Sequence, residues 1–558
     1  MDIKTSVSLV ERKLSNMIFW AAAFLLFLGA LGDRGLWTSE GRWGEITREM
    51  FLTRDFFHPT INGEPYFDKP LLTYWLIALV SAVTGRLNEW ILRLPSAISA
   101  LLALWATTYL GRKLWSREVG RTAGWILLTT YGFLFWGRTA AADMENLAAI
   151  ILAIAWYWKQ REKPIFSTFL VFYLICFLGA HNKGLTTLVV PVLVVLTDLL
   201  RERRWRAVLT RSHLLALAIS GAVYVAPFIY SSITTGGYQE NGLALVFQEN
   251  LLRYFQPFDH KEPFYVYFYY LPELFLPWAP LLLVALWGTL TSLKGLDRRT
   301  RWLVEAVIVM FLFFTCSGSR RSYYILPILP FCALLTSVFL NTEGKEGWKR
   351  LSLGLQAGLF SLGSLIAILS PVIWPIIKEH MGFVPPRVLL VVTPILGILA
   401  LFSLLFRYFR PGLLIFFVGT KQEIAPLVAT ATILMGGFFC VQQGSLEDYD
   451  SERPFVRELK AQIAGLSPSE IAFYREVSPR VLFYLDLPGP TLVLKYPDEA
   501  QNFLESDSRV KVLVSRREYF KDLFPALPAD LREKPTLSEK VYPWDKKGSR
   551  KLVAWKIE

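Results

Sequence analysis

The sequence predicts an α-helical integral membrane protein of about thirteen spans, with surface helices in its first external loop and a small α/β part at its C-terminus. Three observations lead there. Of the residues, 53% are hydrophobic and 19% charged, and the mean hydropathy is +0.37, more apolar sequence than a soluble core encloses. The basic residues sit in short runs between the apolar stretches. From about residue 444 onward the long apolar stretches give way to short strand-like and helix-like runs.

The first span, near 17–34, follows a basic N-terminus with Arg12 and Lys13, and no A-x-A cleavage signal follows it. Further spans fall near 95–112, 122–138, 146–158, 165–180, 185–199, 213–231, 265–290, 302–316, 323–340, 351–374, 387–406 and 423–442. The stretch 70–85, "PLLTYWLIALVSAVTG", is ambiguous by hydropathy, and charge decides it. Loops 112–121, 159–163, 201–211, 294–301, 345–350 and 407–421 carry 22 Lys and Arg, whereas 138–145, 181–184, 232–264, 317–322 and 375–387 carry 8. The richer set belongs in the cytoplasm together with the N-terminus. That requires an odd number of crossings between 35 and 112, so 70–85 either does not cross or crosses together with a second short segment; the simpler reading places it in or against the outer surface, with the C-terminus external. The loop 35–94 is then a large external one. In "EGRWGEITREMFLTR", Trp43, Ile46, Met50 and Phe51 recur at helical spacing with charges between them, an amphipathic surface helix. In the tail, 444–558, "IAFY", "TLVL" and "VKVLVS" read as strands, and "DEAQNFLES" and "RREYFKDLF" as helices.

Several functions are disfavoured. The net charge of +13 is explained by topology, so no nucleic-acid partner is expected. Cys176, Cys316, Cys332 and Cys440 lie in apolar runs without CxxC spacing, which gives neither a disulfide framework nor a zinc cluster. GxGxxG and GxxxxGK[ST] are absent from the sequence, as are internal repeats and low-complexity tracts. A transporter or flippase for a lipid-linked sugar would call for an inverted repeat and paired broken spans at the midplane, and the sequence offers neither.

Ionisable groups near a membrane point to function, and here they collect at the outer ends of spans. They are Glu40, Arg42 and Glu45; Asp68 and Lys69; Arg138, Asp143 and Glu145; His181 and Lys183; Glu249, Arg253, His260 and Lys261; Arg320 and Arg321. Adjacent arginines in "CSGSRRSYYILP" run against the positive-inside bias. A bound phosphate explains both, because guanidinium forks match its oxygens. Other groups have plainer readings. Glu45 and Arg48 are expected on a solvated helix face, His181 as a satisfied interfacial histidine, and Glu145 and Lys261 as loop charges. Asp68 and Lys69 are either an ion pair capping a surface helix or part of a reaction centre. Carboxylates beside phosphate-binding cations suit group transfer from a phosphate leaving group. Outside the membrane, nucleotide-activated substrates are scarce, so the expected donor is a lipid phosphate that enters sideways between spans.

The motifs "SEGRWGEITREM", "INGEPYFDKPLLTYW", "RLPSA", "RTAAADM", "GAHNKGLTTLVVP", "FQENLLRYFQPFDHKEPFYVY", "LPW" and "GSRRSYYILPILP" follow one another over residues 30–330. Together they resemble the aminoarabinose (lipid A) transferase family. These are bacterial GT-C glycosyltransferases related to protein O-mannosyltransferases. The resemblance implies a GT-C fold of thirteen spans with juxtamembrane helices and a C-terminal periplasmic domain. It also implies transfer of a sugar, with inversion, from polyprenyl phosphate to lipid A or another periplasmic-side acceptor, at the bacterial inner membrane. A protein hydroxyl or a growing glycan is an acceptor the motifs equally allow. Carried over by motif, Asp68 and Asp143 are site carboxylates. Lys69, Lys183 and Arg253 lie near the carrier phosphate, and Tyr66 and Tyr324 are site tyrosines. Arg42, His260, Arg320 and Arg321 complete the candidate binding set. No organic cofactor is implied; Asp68 is the candidate ligand for a divalent cation. Two departures stand out. The family's usual Asp-Glu in the first loop is Ser39-Glu40 here, which leaves Glu40 as the carboxylate, or no strong base at all if the acceptor is an anionic phosphate. Asn250 stands where relatives often have histidine, which leaves His260 as the nearby imidazole.

Overall fold

A computed structural model describes residues 3–66, 69–234, 262–409, 411–506, 510–532, 535–545 and 548–557. The chain is mainly helical. It opens with α1 (Ile3–Leu28), α2 (Glu40–Thr53), a hairpin of β1 (Thr60–Ile61) and β2 (Glu64–Pro65), and α3 (Leu72–Thr84). Then come α4 (Glu89–Leu114), α5 (Arg117–Leu128), α6 (Tyr131–Gly137), α7 (Ala142–Gln160), α8 (Phe166–Lys183), α9 (Thr186–Arg201) and α10 (Arg211–Thr234). Local chemistry sets several of these boundaries. Asn88 caps α4 by accepting from the Ile91 N–H at 3.1 Å, and Ser116 caps α5 by accepting from Val119 N–H at 3.1 Å.

Among the described residues, seven helices are long and apolar enough to cross a bilayer, nine if each of two bent pairs forms one span. One bent pair joins Tyr131–Gly137 to Ala142–Gln160 at 115°; the other joins Phe264–Leu274 to Ala279–Leu290 at 119°. Two expected spans are thus interrupted. The stretch 122–138 breaks after Leu128, and 265–290 breaks around Pro277, whose missing N–H cannot continue a helical ladder. The ambiguous stretch 70–85 forms α3, whose 13 residues extend about 20 Å, short of the roughly 30 Å hydrocarbon core.

The main core is apolar packing among the helices, with Trp278, Trp302, Phe27 and Phe133 among its fully buried side chains. A second cluster joins Trp43, Ile46 and Met50 of α2 to Leu71, Tyr74 and Ile77 near α3 and to Phe172, Tyr173 and Phe177 of α8. Trp43, Ile46 and Met50 of the periodic face read in the first loop are therefore buried, whereas Phe51 is 37% exposed.

The tail carries a five-stranded sheet of β3 (Ile471–Tyr474), β4 (Leu492–Leu494), β5 (Lys511–Arg516), β6 (Leu537–Ser538) and β7 (Leu552–Ile557), in the order β4-β3-β5-β7-β6. β3 runs parallel to β4 and β5, and β7 is antiparallel to β5 and β6. Side chains alternate along β3: Ile471 and Phe473 pack with Phe455, Val456 and Leu459 on one face, while Ala472 and Tyr474 pack with Phe503 and Trp555 on the other.

This sheet-bearing tail is fastened to the first loop. Gly41 and Gly44 of α2 face the helix Pro479–Leu485. A Cβ on Gly41 would lie 2.6 Å from the Arg480 backbone nitrogen, and one on Gly44 would lie 2.8 Å from the Phe483 ring. The glycines of "EGRWGE" therefore permit close helix packing. The turn of the β1–β2 hairpin is Asn62–Gly63, with φ of 56° and 75°, the positive pair an Asn-Gly hairpin turn favours. Glu49 holds that turn by accepting from Asn62 N–H at 2.6 Å and Gly63 N–H at 3.3 Å. Asn62 in turn exchanges hydrogen bonds with the Thr491 backbone at 3.0 and 2.8 Å.

Candidate active site

An ion-pair knot frames the site. Arg93 of α4 is 1% exposed and Glu40 of α2 is 0% exposed. The Arg93 guanidinium donates to both Glu40 carboxylate oxygens at 2.8 Å and to the carbonyls of Leu31, Arg34 and Gly35 at 2.8–2.9 Å. Glu40 also accepts from Trp37 N–H at 2.7 Å, Ala140 N–H at 2.8 Å and Arg34 at 3.2 Å. Burial alone would raise this carboxyl, but Arg93 and Arg34 outweigh it and hold the group at about 2. One carboxylate thus ties the end of the first span's loop, α2, α4 and the start of the α6–α7 connection together. Arg138 makes a related tie. Its guanidinium donates to Leu26, Gly29 and Ala30 carbonyls at the end of α1 and to the Phe439 carbonyl, at 2.6–3.2 Å. Leu26 lies in the last turn of α1, where a helix end leaves carbonyls unsatisfied.

Above this frame, polar groups from four segments meet. Asp143, in the first turn of α7, pairs with Lys183 at the end of α8. The Lys183 ammonium lies 4.9 Å from the Tyr323 ring centre and 4.6 Å from that of Tyr324, a cation–π arrangement. Arg321 lies 6.0 Å from the Tyr323 ring centre, and the Trp136 ring packs against the same tyrosine at 4.5 Å between centres. Next to Lys183, Asn182 accepts from the Thr73 hydroxyl at 3.0 Å, which brings the start of α3, with half-buried Lys69 just before it, to the end of α8. Arg42 donates to the Tyr66 hydroxyl at 3.3 Å and lies 5.9 Å from its ring centre. Of the expected set, Asp143, Lys183, Arg321 and Tyr324 therefore gather at the start of α7 and the end of α8, Lys69 precedes the adjoining α3, and Arg42 pairs with Tyr66 in the first loop. Cations and phenolic hydroxyls gathered around one carboxylate can hold an anionic oxygen group and stabilise charge that develops on it.

Asp68, Glu249, Asn250, Arg253, His260 and Lys261 lie outside the described residues. Among the described residues there is no group of three or more His, Cys, Asp or Glu side chains placed to hold a metal ion.

Several expectations change. Glu40, expected as the first-loop carboxylate, is fully buried, and its oxygens are engaged by Arg93, Arg34 and two backbone N–H groups. Glu45 and Arg48 are not a solvated face. They are 0% and 9% exposed, joined through two 2.8 Å hydrogen bonds, and Arg48 also donates to the Leu487 carbonyl at 2.6 Å. The tail covers the helix face that local periodicity left to solvent. Glu145 is not a loop charge but a buried α7 residue that accepts from Ser96 at 3.1 Å. Arg320 is anchored to the carbonyls of Thr315 at 3.1 Å and Glu262 at 2.7 Å, which leaves Arg321 as the one of the pair that faces the tyrosines. His181 is buried between Tyr224 and Phe228, its ring 4.8 and 5.2 Å from theirs. Arg93, Arg34, Tyr323, Asn182 and Thr73 escaped sequence reasoning. Arg93 did leave a signal, as an arginine within the otherwise apolar "EWILRLPSA".

A family model described as dolichyl-phosphate-mannose-protein mannosyltransferase matches residues 68–230. Undecaprenyl phosphate-alpha-4-amino-4-deoxy-L-arabinose arabinosyl transferase 1 of Pseudomonas fluorescens is 29% identical over 331 residues, 56% of this chain and 55% of that protein. The corresponding transferase 2 of Sodalis glossinidius is 30% identical over 389 residues, 67% of this chain and 68% of that protein. The match thus spans about half of the first relative's length and two thirds of the second's. The crystal structure of ArnT from Cupriavidus metallidurans bound to undecaprenyl phosphate superposes with a TM-score of 0.74 at 20% identity, covering 96% of this chain and 97% of that one. The two proteins share a fold.

Proposed function

The chain belongs to the undecaprenyl phosphate-4-amino-4-deoxy-L-arabinose arabinosyl transferase family, and from that premise we propose that it is a polyprenyl-phosphate-dependent glycosyltransferase of the bacterial inner membrane. It moves a sugar from undecaprenyl phosphate to a periplasmic-side acceptor, lipid A or a related glycolipid, with inversion. Residues 1–443 form the membrane domain, with about thirteen spans and the loop 35–94 on the periplasmic side; residues 444–558 form a periplasmic α/β domain. The 22-to-8 division of Lys and Arg between alternate loops supports that orientation, and so does the shortness of α3.

The observation that carries the reading is the Asp143–Lys183 pair beside Tyr323 and Tyr324, at the ends of α7 and α8 that the proposed topology puts in the periplasm. In the proposed reaction the bond from the anomeric carbon to the carrier phosphate oxygen breaks as a bond from the acceptor oxygen forms on the opposite face. Negative charge then grows on the departing phosphate. Lys183 and Lys69, with Arg253 and Arg321, meet that charge, and Asp143 keeps the Lys183 ammonium in place. Arg42 and Tyr66 orient the donor from the first loop. Asp68 orients the acceptor; were a divalent cation bound, Asp68 would be its ligand and the ion would draw charge from the phosphate. A phosphate acceptor is already anionic and needs no strong base, which fits a Ser39-Glu40 motif whose carboxylate is paired with Arg93.

Mass spectrometry of lipid A and of the polyprenyl phosphate pool, in cells with and without the chain, tests this. A sugar-sized mass increase on lipid A that depends on the chain is expected, with an accumulated donor when it is missing. An unchanged lipid A refutes that acceptor. A second reading, transfer to a protein hydroxyl, is favoured by the match of residues 68–230 to the protein mannosyltransferase model. It requires chain-dependent glycopeptides in the same cells.

A further inference from the structure

Glu145 is a buried carboxyl that the transfer chemistry proposed above leaves unused. It stands in the first turn of α7, two residues after Asp143. Two residues turn a helix by about 200°, so the two acids point to opposite sides. Asp143 meets Lys183 of α8, while Glu145 meets Ser96 of α4. Glu145 and Ser96 are closed to water, at 4% and 1% exposure. Among the described residues no cation balances Glu145. Around this turn Arg93 is committed to Glu40, Lys183 pairs with Asp143, Arg138 holds main-chain carbonyls, and His181 lies between Tyr224 and Phe228. Tyr323 and Tyr324 face Lys183. The donors near Glu145 are the Ser96 hydroxyl and its own main-chain N–H, and Oε2 has no hydrogen-bond partner among the described residues. An ionised Glu145 would be an unbalanced buried charge beside a second acid; a neutral one is not.

Hydrogen-bond counting leads to the same state. The Ser96 hydroxyl lies 3.1 Å from Glu145 Oε1 and 3.2 Å from the Ala141 carbonyl oxygen. A hydroxyl has one proton and cannot donate to both at once. When Glu145 carries a proton, its O–H donates to Ser96, Ser96 donates to Ala141, and each contact has its proton. The tie lies where α7 needs one. Its N-cap is Ala141, which has no side-chain oxygen to cap the helix. The start of α7 is held from outside instead, by Glu40 on the Ala140 N–H at 2.8 Å and by Ser96 on the Ala141 carbonyl. Asp143 follows two residues later.

We propose that Glu145 is a positioning residue of the transfer site that acts as an uncharged acid. Its O–H donates to Ser96, reversing the donor of that bond, and Ser96 donates to the Ala141 carbonyl. This relay sets the turn of α7 that presents Asp143 to Lys183. The role in transfer rests on the transferase reading; the protonation state does not. The full chain purified in detergent tests both. The difference infrared spectrum, parent minus Glu145→Gln, should carry the carbonyl band of a protonated carboxylic acid at neutral pH. A carboxylate band in its place overturns the proposal. Turnover of a polyprenyl phosphate sugar is the second readout. Glu145→Leu fills the site without a donor and should slow turnover about tenfold or more, because small misplacements of reacting groups cost that much. Glu145→Gln, whose amide N–H donates to Ser96, should recover turnover to within about threefold of the parent. Glu145→Leu at the parental rate, or Glu145→Gln as slow as Glu145→Leu, overturns the positioning role. Should Glu145→Leu not fold, Ser96→Ala breaks the same relay and carries the same expectation. An acid band in a chain that transfers no sugar refutes the transferase reading. A carboxylate band in a chain that transfers normally refutes only the present proposal.

Discussion

Replacing Glu40 with glutamine separates a carboxylate that holds the site from one that reacts in it. The amide keeps the side-chain shape and removes the charge. Arg93, 1% exposed, would then face three backbone carbonyls with no counter-ion. Breaking one partner out of a buried ion pair costs about 3–5 kcal/mol. Proton linkage leads to a similar figure: holding Glu40 at about 2 against an ordinary 4.5 corresponds to about 3 kcal/mol. A depressed carboxyl stabilises the fold fully above its unfolded value. That stabilisation fades as pH falls through the interval from 4.5 to about 2. Unfolding of the purified chain in detergent should therefore show Glu40→Gln weaker by about 3 kcal/mol at pH 7. Its deficit relative to the parent should shrink as pH drops below 4.5. Adding Arg93→Met, which removes the orphaned charge, should restore part of the loss. A Glu40→Gln protein that unfolds with the parent at neutral pH, yet transfers sugar 10²-fold more slowly, would refute the positioning role and return Glu40 to the reacting centre.

Other outcomes follow from the site. Asp143→Asn releases the Lys183 clamp, and transfer should fall by about 10²-fold or more, measured by turnover of a polyprenyl phosphate sugar. Lys69→Ala and Lys183→Ala should each weaken polyprenyl phosphate binding about tenfold or more, the value of one charge-assisted contact; unchanged binding would remove them from the carrier site. Asp68→Asn should reduce turnover by about 10²-fold with normal membrane insertion, and near-normal turnover would make the Asp68–Lys69 pair an ordinary flank of α3. A cysteine at exposed Glu64 and a reporter fused after Ser445 should both report the periplasm, and a cytoplasmic signal at either would overturn the orientation.

What the residues reveal alone is what depends on short range. Hydropathy marks the long helices, and the period of Trp43, Ile46 and Met50 marks a helix with one apolar side. Strand alternation marks "IAFY", and an ordered set of motifs brings Lys69, Asp143, Lys183 and Tyr324 together as candidates before any coordinates exist. The Asn62–Gly63 hairpin escaped that reading, although Asn-Gly is a short hairpin signal. The identity of each charge's partner was not legible at all. Glu40 meets Arg93 across 53 positions and Arg48 meets the Leu487 carbonyl across 439. Arg138 reaches back 112 positions to the end of α1. A repeating pattern describes the face of one helix, but not what will lie on that face. Glu45 and Arg48 read as solvated for that reason, until the helix Pro479–Leu485 packed against Gly41 and Gly44 and removed the water. Burial decides whether a charge is a solvated ornament, a structural tie or a reactive group, because desolvation makes an unpaired charge costly and a paired one a fixed point. Burial is a property of contacts between distant segments, so Glu40 became a tie and Arg321, rather than Arg320, faced the tyrosines only once the chain had folded.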